Sequence, residues 1–176
     1  MWHIMQEEQV ILVDEMDRPL GVMEKMEAHE KAVLHRAFSV FVFNEADEML
    51  LQRRALSKYH SGGLWTNSCC SHPRANETVL EAAHRRMEEE MGFDCELEQR
   101  FHFIYKAELD QGLTEHELDH VLTGVYEGAI VPNPEEVMDY RYISMTQLFE
   151  ELDADPSQFT EWFKIALPEL RQGLGI

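Results

Sequence analysis

Residues 71–93 read SHPRANETVLEAAHRRMEEEMGF, and between Glu77 and Met91 the apolar residues Leu80, Ala83, Met87 and Met91 recur at helical spacing. Arg85, Glu88 and Glu89 fall mostly off that line, which makes the stretch an amphipathic helix. Gly92 stops it. The loop that feeds the helix, TNSCCSHPRANE from Thr66 to Glu77, carries two adjacent cysteines and a histidine. Such cysteines suit a zinc half-site, a disulfide, a packing role or a nucleophile, and each choice demands different company elsewhere in the chain.

Outward from this helix the pattern becomes that of strands. QVILVDEMDRPLGVMEK holds two short apolar runs about a turn at Asp17 to Gly21, an opening hairpin whose end, Lys25, leads into MEAHEKAVLHRAF. FSVFVFNEADEMLLQRRA places two Val-, Phe- and Leu-rich runs around the polar NEAD, which reads as a β-hairpin. FHFIYKAEL, ELDHVLTGVYEG and VMDYRYIS read as further strands, and MTQLFEELDADP and FTEWFKIALPELRQ as closing helices. A helix set among strands, with more helices after them, predicts an α+β fold in which a mixed sheet is sandwiched between helices. A single domain over 1–176 is expected, since 176 residues with 44% hydrophobic content suffice for one core.

Composition narrows the function classes. The formal charge of −19 opposes binding to nucleic acid or to acidic membrane surfaces, so any anionic ligand must be held by a local basic cluster. Three cysteines, Cys69, Cys70 and Cys95, are a poor disulfide framework, and reduced thiols are expected. MWHIMQEEQVILVDE has early acids and no basic start before an apolar run, and no later run reaches membrane length; a cytoplasmic protein is the expectation. Cys69 and Cys70 lack a second Cys-x-x-Cys pair, which weakens a structural zinc site.

The helix with its loop resembles a Nudix box, G-x5-E-x7-R-E-u-x-E-E-x-G-u, with u a bulky apolar residue. Aligned on Gly92, the box of about 71–93 finds Glu77, Arg85, Met87, Glu89, Glu90 and Phe93 in place. Ser71 stands for the first glycine and Arg86 for a glutamate. In Nudix hydrolases that glutamate belongs to the acidic cluster holding magnesium, so the resemblance implies the fold more firmly than diphosphate hydrolysis. Glu90 is the expected magnesium ligand. The plain alternative is a helix whose acids merely face solvent.

KMEAHEKAVLHRAFSVF, LLQRRALSK, LWTNSCCSHP, EHELDHV and FTEWF together resemble type 1 isopentenyl diphosphate isomerase, a Nudix-fold enzyme, from Gln9 to about Leu167. The resemblance implies interconversion of isopentenyl and dimethylallyl diphosphate through a tertiary carbocation. It implies a divalent metal on His29, His35, His72, Glu115 and Glu117, with Mn²⁺ or Mg²⁺ favoured and Zn²⁺ an alternative occupant. Glu115 and Glu117, two apart on a strand, point to one face, and His116 faces away. By the same resemblance Cys70 and Glu117 transfer protons, Tyr105 stands near the glutamate, and Trp162 faces the cation. Lys25, Arg54 and Lys58, with Arg86 as a fourth, would hold the diphosphate with its Mg²⁺.

His3, His60, His84, His102 and His120 read as surface or hydrogen-bonded histidines. Trp65, Cys69 and Cys95 read as packing residues. An N-terminal segment closing as a lid would keep water from the cation. A monomer or weak homodimer acting on a small molecule is expected. The rivals are a Nudix hydrolase of another diphosphate and a catalytically silent binding domain on the same fold.

Overall fold

Short apolar runs bounded by turn residues become strands, and the stretches with helical spacing become helices. The computed structural model describes residues 8–176. In chain order it contains β1 (Gln9–Val13), β2 (Pro19–Glu24), α1 (Lys25–Lys31), β3 (His35–Phe43), β4 (Met49–Arg54), β5 (Trp65–Thr66) and β6 (Cys69–Ser71). There follow α2 (Val79–Met91), β7 (Glu98–Glu108), β8 (Thr114–Val125), β9 (Val137–Ile143), α3 (Met145–Ala154) and α4 (Glu161–Leu174). The expected lid and His3 fall on residues 1–7, outside the described residues.

The opening hairpin forms as β1 against β2, antiparallel. The second expected hairpin has its turn but almost no ladder, because Phe43 and Met49 are the one β3–β4 pair. Each strand finds a longer partner. β3 runs parallel to β8 from His35–Glu117 to Phe43–Val125, and β4 runs antiparallel to β9. Ser68 fills the wedge between the diverging strands: its Oγ accepts from Val42 N and donates to Leu50 O, both at 2.8 Å. β6 pairs with β3 there, Ser39 lying opposite Cys70, so β6 and β8 border opposite edges of β3.

Period-two alternation splits the core into two layers. Phe38, Val40, Val42 and Leu50 meet Ala82, Ala83, Met87 and Met91 of α2 on one face of the sheet. Phe41, Met49, Leu51 and Val121 meet Leu148 of α3 and Phe163, Leu167 and Leu170 of α4 on the other. Each large side chain so buried contributes about 1.5–3 kcal/mol.

α2 is capped by Thr78, whose hydroxyl accepts from Glu81 N at 3.1 Å, and ends at Gly92 with φ 69°. A Cβ on Gly92 would stand 2.1 Å from Val131 O. The buried line of α2 differs from the expected one. It runs through Val79, Ala82, Ala83, Met87, Glu90 and Met91, while Leu80 is 37% exposed. The helix is rolled toward Glu90, which is drawn inward by Gln52 Nε2 at 2.9 Å. The segment after Lys25 becomes α1, with Ala32 closing it in the left-handed conformation at φ 54°.

Candidate active site

Three histidines arrive from three elements with their rings already oriented. His29, on the inner face of α1, gives its Nδ1 to Lys25 O at 2.7 Å. His35, at the start of β3, gives Nδ1 to Val33 O at 2.8 Å. A carbonyl only accepts, so each Nδ1 carries a hydrogen, and each ring when neutral keeps a lone pair on Nε2. The Nε2 of His29 is buried with no hydrogen-bond partner, and that of His35 lies 3.1 Å from Glu117 Oε2. His72 Nε2 reaches the same oxygen at 2.8 Å. Neutral rings aiming these nitrogens at a carboxylate are stabilised by a cation among them, a proton or a metal, so the residues fit a divalent ion.

His29, His35, His72 and Glu117 bring one ligand atom each within 4.8 Å of one another. Glu115 stands outside that group and forms a second one with His29 and His60. Its Oε2 is 3.8 Å from His29 Nε2. Two residues along β8 separate the two side chains by roughly 7 Å at their bases. His60, read as an ordinary histidine, is 3% exposed and lines the same cavity. His116 turns away, as expected, toward Ala32 O at 3.2 Å.

Burial opposes charge on both carboxyls, but the imidazoles of His72 and His35 hold Glu117 well below the usual range. Glu115, buried beside that charge, is raised. Burial opposes charge on His72 as well and lowers it to about 4. The register pairs Tyr105 with Glu117, and the phenol donates to Glu117 Oε1 at 2.6 Å, with Glu115 Oε1 at 3.1 Å. The single phenolic hydrogen stands between the two carboxylates, with the shorter contact to Glu117.

Alternation along β6 separates the adjacent cysteines. Cys69 is fully buried in the layer under α2, while Cys70 faces the cavity beside Tyr105 and Trp162. Cys95 packs against the α2 layer. The Cys70 thiol donates to Asn67 Oδ1 at 2.9 Å and lies 3.5 Å from Ser39 Oγ, which donates to Asp119 Oδ2 at 2.7 Å. Burial, with the Asp119 carboxyl nearby, pushes the thiol up. Asp119 is itself raised by burial and by Glu117.

These groups surround a cavity of about 580 Å³. Every site residue expected from the sequence lines it except His29 and His35, which are fully buried. Lys25, Lys58 and Arg86 are each held by a carboxylate: Lys25 by Glu8 at 2.7 Å, Lys58 by Glu136 at 2.6 Å, and Arg86 by Glu89 and Glu90, both at 2.6 Å. Arg54 makes no carboxylate contact among the described residues and stacks on the Trp162 ring at 5.0 Å. Of the remaining histidines, His84 bonds Asp94 and His120 bonds Asp17, while the His102 ring lies 5.3 Å from that of His120. Trp65 lies beside Arg141 and packs against the α4 layer.

Sequence reasoning passed over Asp119, Ser39, Asn67, Glu8 and Glu136. Asp119 had a signal, because it extends the Glu115, Glu117 alternation onto the same face of β8. Ser39, Glu8 and Glu136 carry none, since only pairing between distant strands and loops brings them to the cavity; Asn67, in the loop of Cys70 itself, is buried behind the thiol.

A family model described as NUDIX domain matches residues 33–163. A protein of Pectobacterium atrosepticum named isopentenyl-diphosphate Delta-isomerase is 51% identical over 92% of this chain and 90% of its own length. A second so named, from Photobacterium profundum, is 53% identical over 89% of this chain and 91% of its own. Among solved structures, DR0079 of Deinococcus radiodurans superposes with a TM-score of 0.73 at 16% identity, covering 90% of this chain and 96% of that one. A MutT protein of Methanosarcina mazei gives 0.64 at 16% identity, over 79% and 94%. At those identities the structures speak for the fold.

Proposed function

The chain belongs to the NUDIX domain family and, within it, to the isopentenyl-diphosphate Delta-isomerases, and from that premise we propose how its own residues move the double bond. The enzyme interconverts isopentenyl and dimethylallyl diphosphate. A proton is added at one end of the alkene, a tertiary carbocation forms, and a proton leaves two carbons away, so the diphosphate is conserved.

We assign the two proton transfers to Cys70 and to Glu117 with Tyr105. The observation that carries this is their placement on opposite edges of β3, with both sides opening on one cavity. Cys70 holds its proton as a thiol, and Glu117 stands ionised and hydrogen-bonded to the Tyr105 phenol. The reaction is reversible, so each side gives a proton in one direction and takes one in the other. Trp162, 3% exposed, offers an aromatic face to the cation without a nucleophilic atom.

His29, His35, His72, Glu115 and Glu117 would hold the divalent ion, Mn²⁺ or Mg²⁺ by their mixed nitrogen and oxygen character, with Zn²⁺ an alternative. When bound, it would supply a fixed positive charge against Glu117. Lys25, Arg54, Lys58 and Arg86 take the diphosphate. Glu90, buried at the cavity wall, is assigned to the accompanying magnesium. Arg86 argues against the hydrolase rival, because a guanidinium occupies the position of a box glutamate and pairs with Glu89 and Glu90. We place the enzyme in the cytoplasm as a single-domain protein, monomeric or weakly dimeric; among the described residues no helix is long and apolar enough to cross a membrane.

Proton NMR of the protein with isopentenyl diphosphate and Mg²⁺ in D₂O tests the assignment. Wild type is expected to form deuterated dimethylallyl diphosphate, and Cys70→Ala and Glu117→Gln to lose at least about a hundredfold in kcat. Retention of wild-type turnover by either variant would remove that residue from the mechanism. Release of phosphate would favour the hydrolase.

A further inference from the structure

The thiol assigned to one of the proton transfers rests against a buried amide whose orientation is fixed. Resting on that assignment of Cys70, we propose that Asn67 is the positioning residue for the thiol. It holds the sulfur in place and gives its hydrogen a fixed acceptor, from which rotation about the Cβ–Sγ bond alone turns the hydrogen toward the cavity.

Asn67 is 1% exposed and lies between β5 and β6. Its Nδ2 donates to Val40 O at 2.9 Å and to Cys69 O at 3.0 Å. Both amide hydrogens are thereby committed, and turning the group over would set its oxygen against two carbonyls, so Oδ1 is the atom presented to the sulfur. That oxygen accepts from the Cys70 thiol and from Thr66 Oγ1, both at 2.9 Å. Thr66 Oγ1 in turn accepts from Thr160 Oγ1 at 3.0 Å, and Thr160 caps α4 by accepting from Phe163 N at 3.4 Å. The hydrogens run in one direction, from the start of α4 through two buried threonines to Asn67. The helix that carries Trp162 is thus tied to the residue that holds the sulfur. Ser39 borders the sulfur from another side at 3.5 Å, but its hydroxyl hydrogen goes to Asp119, which leaves a longer and weaker contact.

The rival explanation is that Asn67 only ties β3 to β6 through the two carbonyls and has no bearing on the thiol. The infrared S–H stretching band of Cys70 separates the two, because hydrogen bonding lowers its frequency. The difference spectrum of wild type against Cys70→Ala isolates that band from those of Cys69 and Cys95. The proposal expects a lowered band in wild type and in Ser39→Ala, and a return to the free-thiol frequency in Asn67→Ala. It also expects kcat of Asn67→Ala to fall about tenfold, the worth of one hydrogen bond, with KM for isopentenyl diphosphate little changed because the cations of the cavity are untouched. The wild-type spectrum decides even if Asn67→Ala fails to fold: a band at the free-thiol frequency would overturn the proposal. A band that moves in Ser39→Ala and not in Asn67→Ala would do the same, as would wild-type kcat in Asn67→Ala alongside a loss in Cys70→Ala. Wild-type turnover in Cys70→Ala would instead overturn the assignment of the thiol, and the proposal with it.

Discussion

At the residue scale, the cavity is organised by which atoms are left without partners and which are held by the wrong ones. The buried, unpartnered Nε2 of His29 is the clearest sign of an ion among the described residues, since burying such a group unsatisfied costs about 1–3 kcal/mol. Lys25 shows the converse, because its ammonium is held by Glu8 where a diphosphate is expected. Burial opposes ionisation of Glu8, but Lys25, Arg86 and His72 outweigh it and hold the carboxyl at about 2. Glu8 is therefore anionic near neutral pH, and the Glu8–Lys25 pair that a bound diphosphate would have to displace does not titrate there. Steady-state kinetics of Glu8→Gln should show KM for isopentenyl diphosphate reduced roughly threefold, with kcat little changed, as for loss of a partly exposed ion pair. A raised KM would mean that Glu8 helps position Lys25 instead.

At the scale of single elements, α2 serves both the core and the cavity, and its charges divide accordingly. Glu77 takes both guanidinium arms of Arg85, at 2.7 and 2.8 Å, and so ties the loop after β6 to the second turn of the helix. That contact lowers the Glu77 carboxyl below its ordinary value. A lowered folded-state pKa gives stabilisation that is complete above the unfolded value of about 4.3 and disappears as pH falls through the folded value. Urea unfolding should accordingly find Glu77→Gln less stable than wild type by about 1–2 kcal/mol at pH 7, the gap closing as pH is lowered. A gap independent of pH would assign the loss to shape rather than to charge. Arg86, one residue on, faces Glu90 and the cavity, so neighbouring arginines on one helix do different work.

At the scale of the whole molecule, the proposed ion ties together elements far apart in the chain: α1 through His29, β3 through His35, the loop after β6 through His72, and β8 through Glu117. Binding to the native state alone stabilises it by about 2.7 kcal/mol when the free ion is a hundredfold above Kd. Thermal melts should rise with added Mn²⁺ in wild type and stay flat in His72→Ala; equal rises in both would place the ion elsewhere. The sequence by itself determined the helix with its stop at Gly92, the longer strands, the box departure at Arg86 and, through the family motifs, most of the cavity residues, because these lie in local periodicity or in short motifs of fixed spacing. It distinguished Cys70 from Cys69 through the family resemblance alone, because the stretch reads as a loop and the alternation of β6 appears only in the folded chain. Only the tertiary structure opened the expected β3–β4 hairpin, because longer pairings with β8 and β9 outcompete it and Ser68 fills the gap. It likewise rolled α2 toward Glu90, placed Glu8 on Lys25 and Glu136 on Lys58, and brought His60 to Glu115. Those contacts are made between segments distant in sequence, and they depend on register and on the packing of loops that no local pattern encodes.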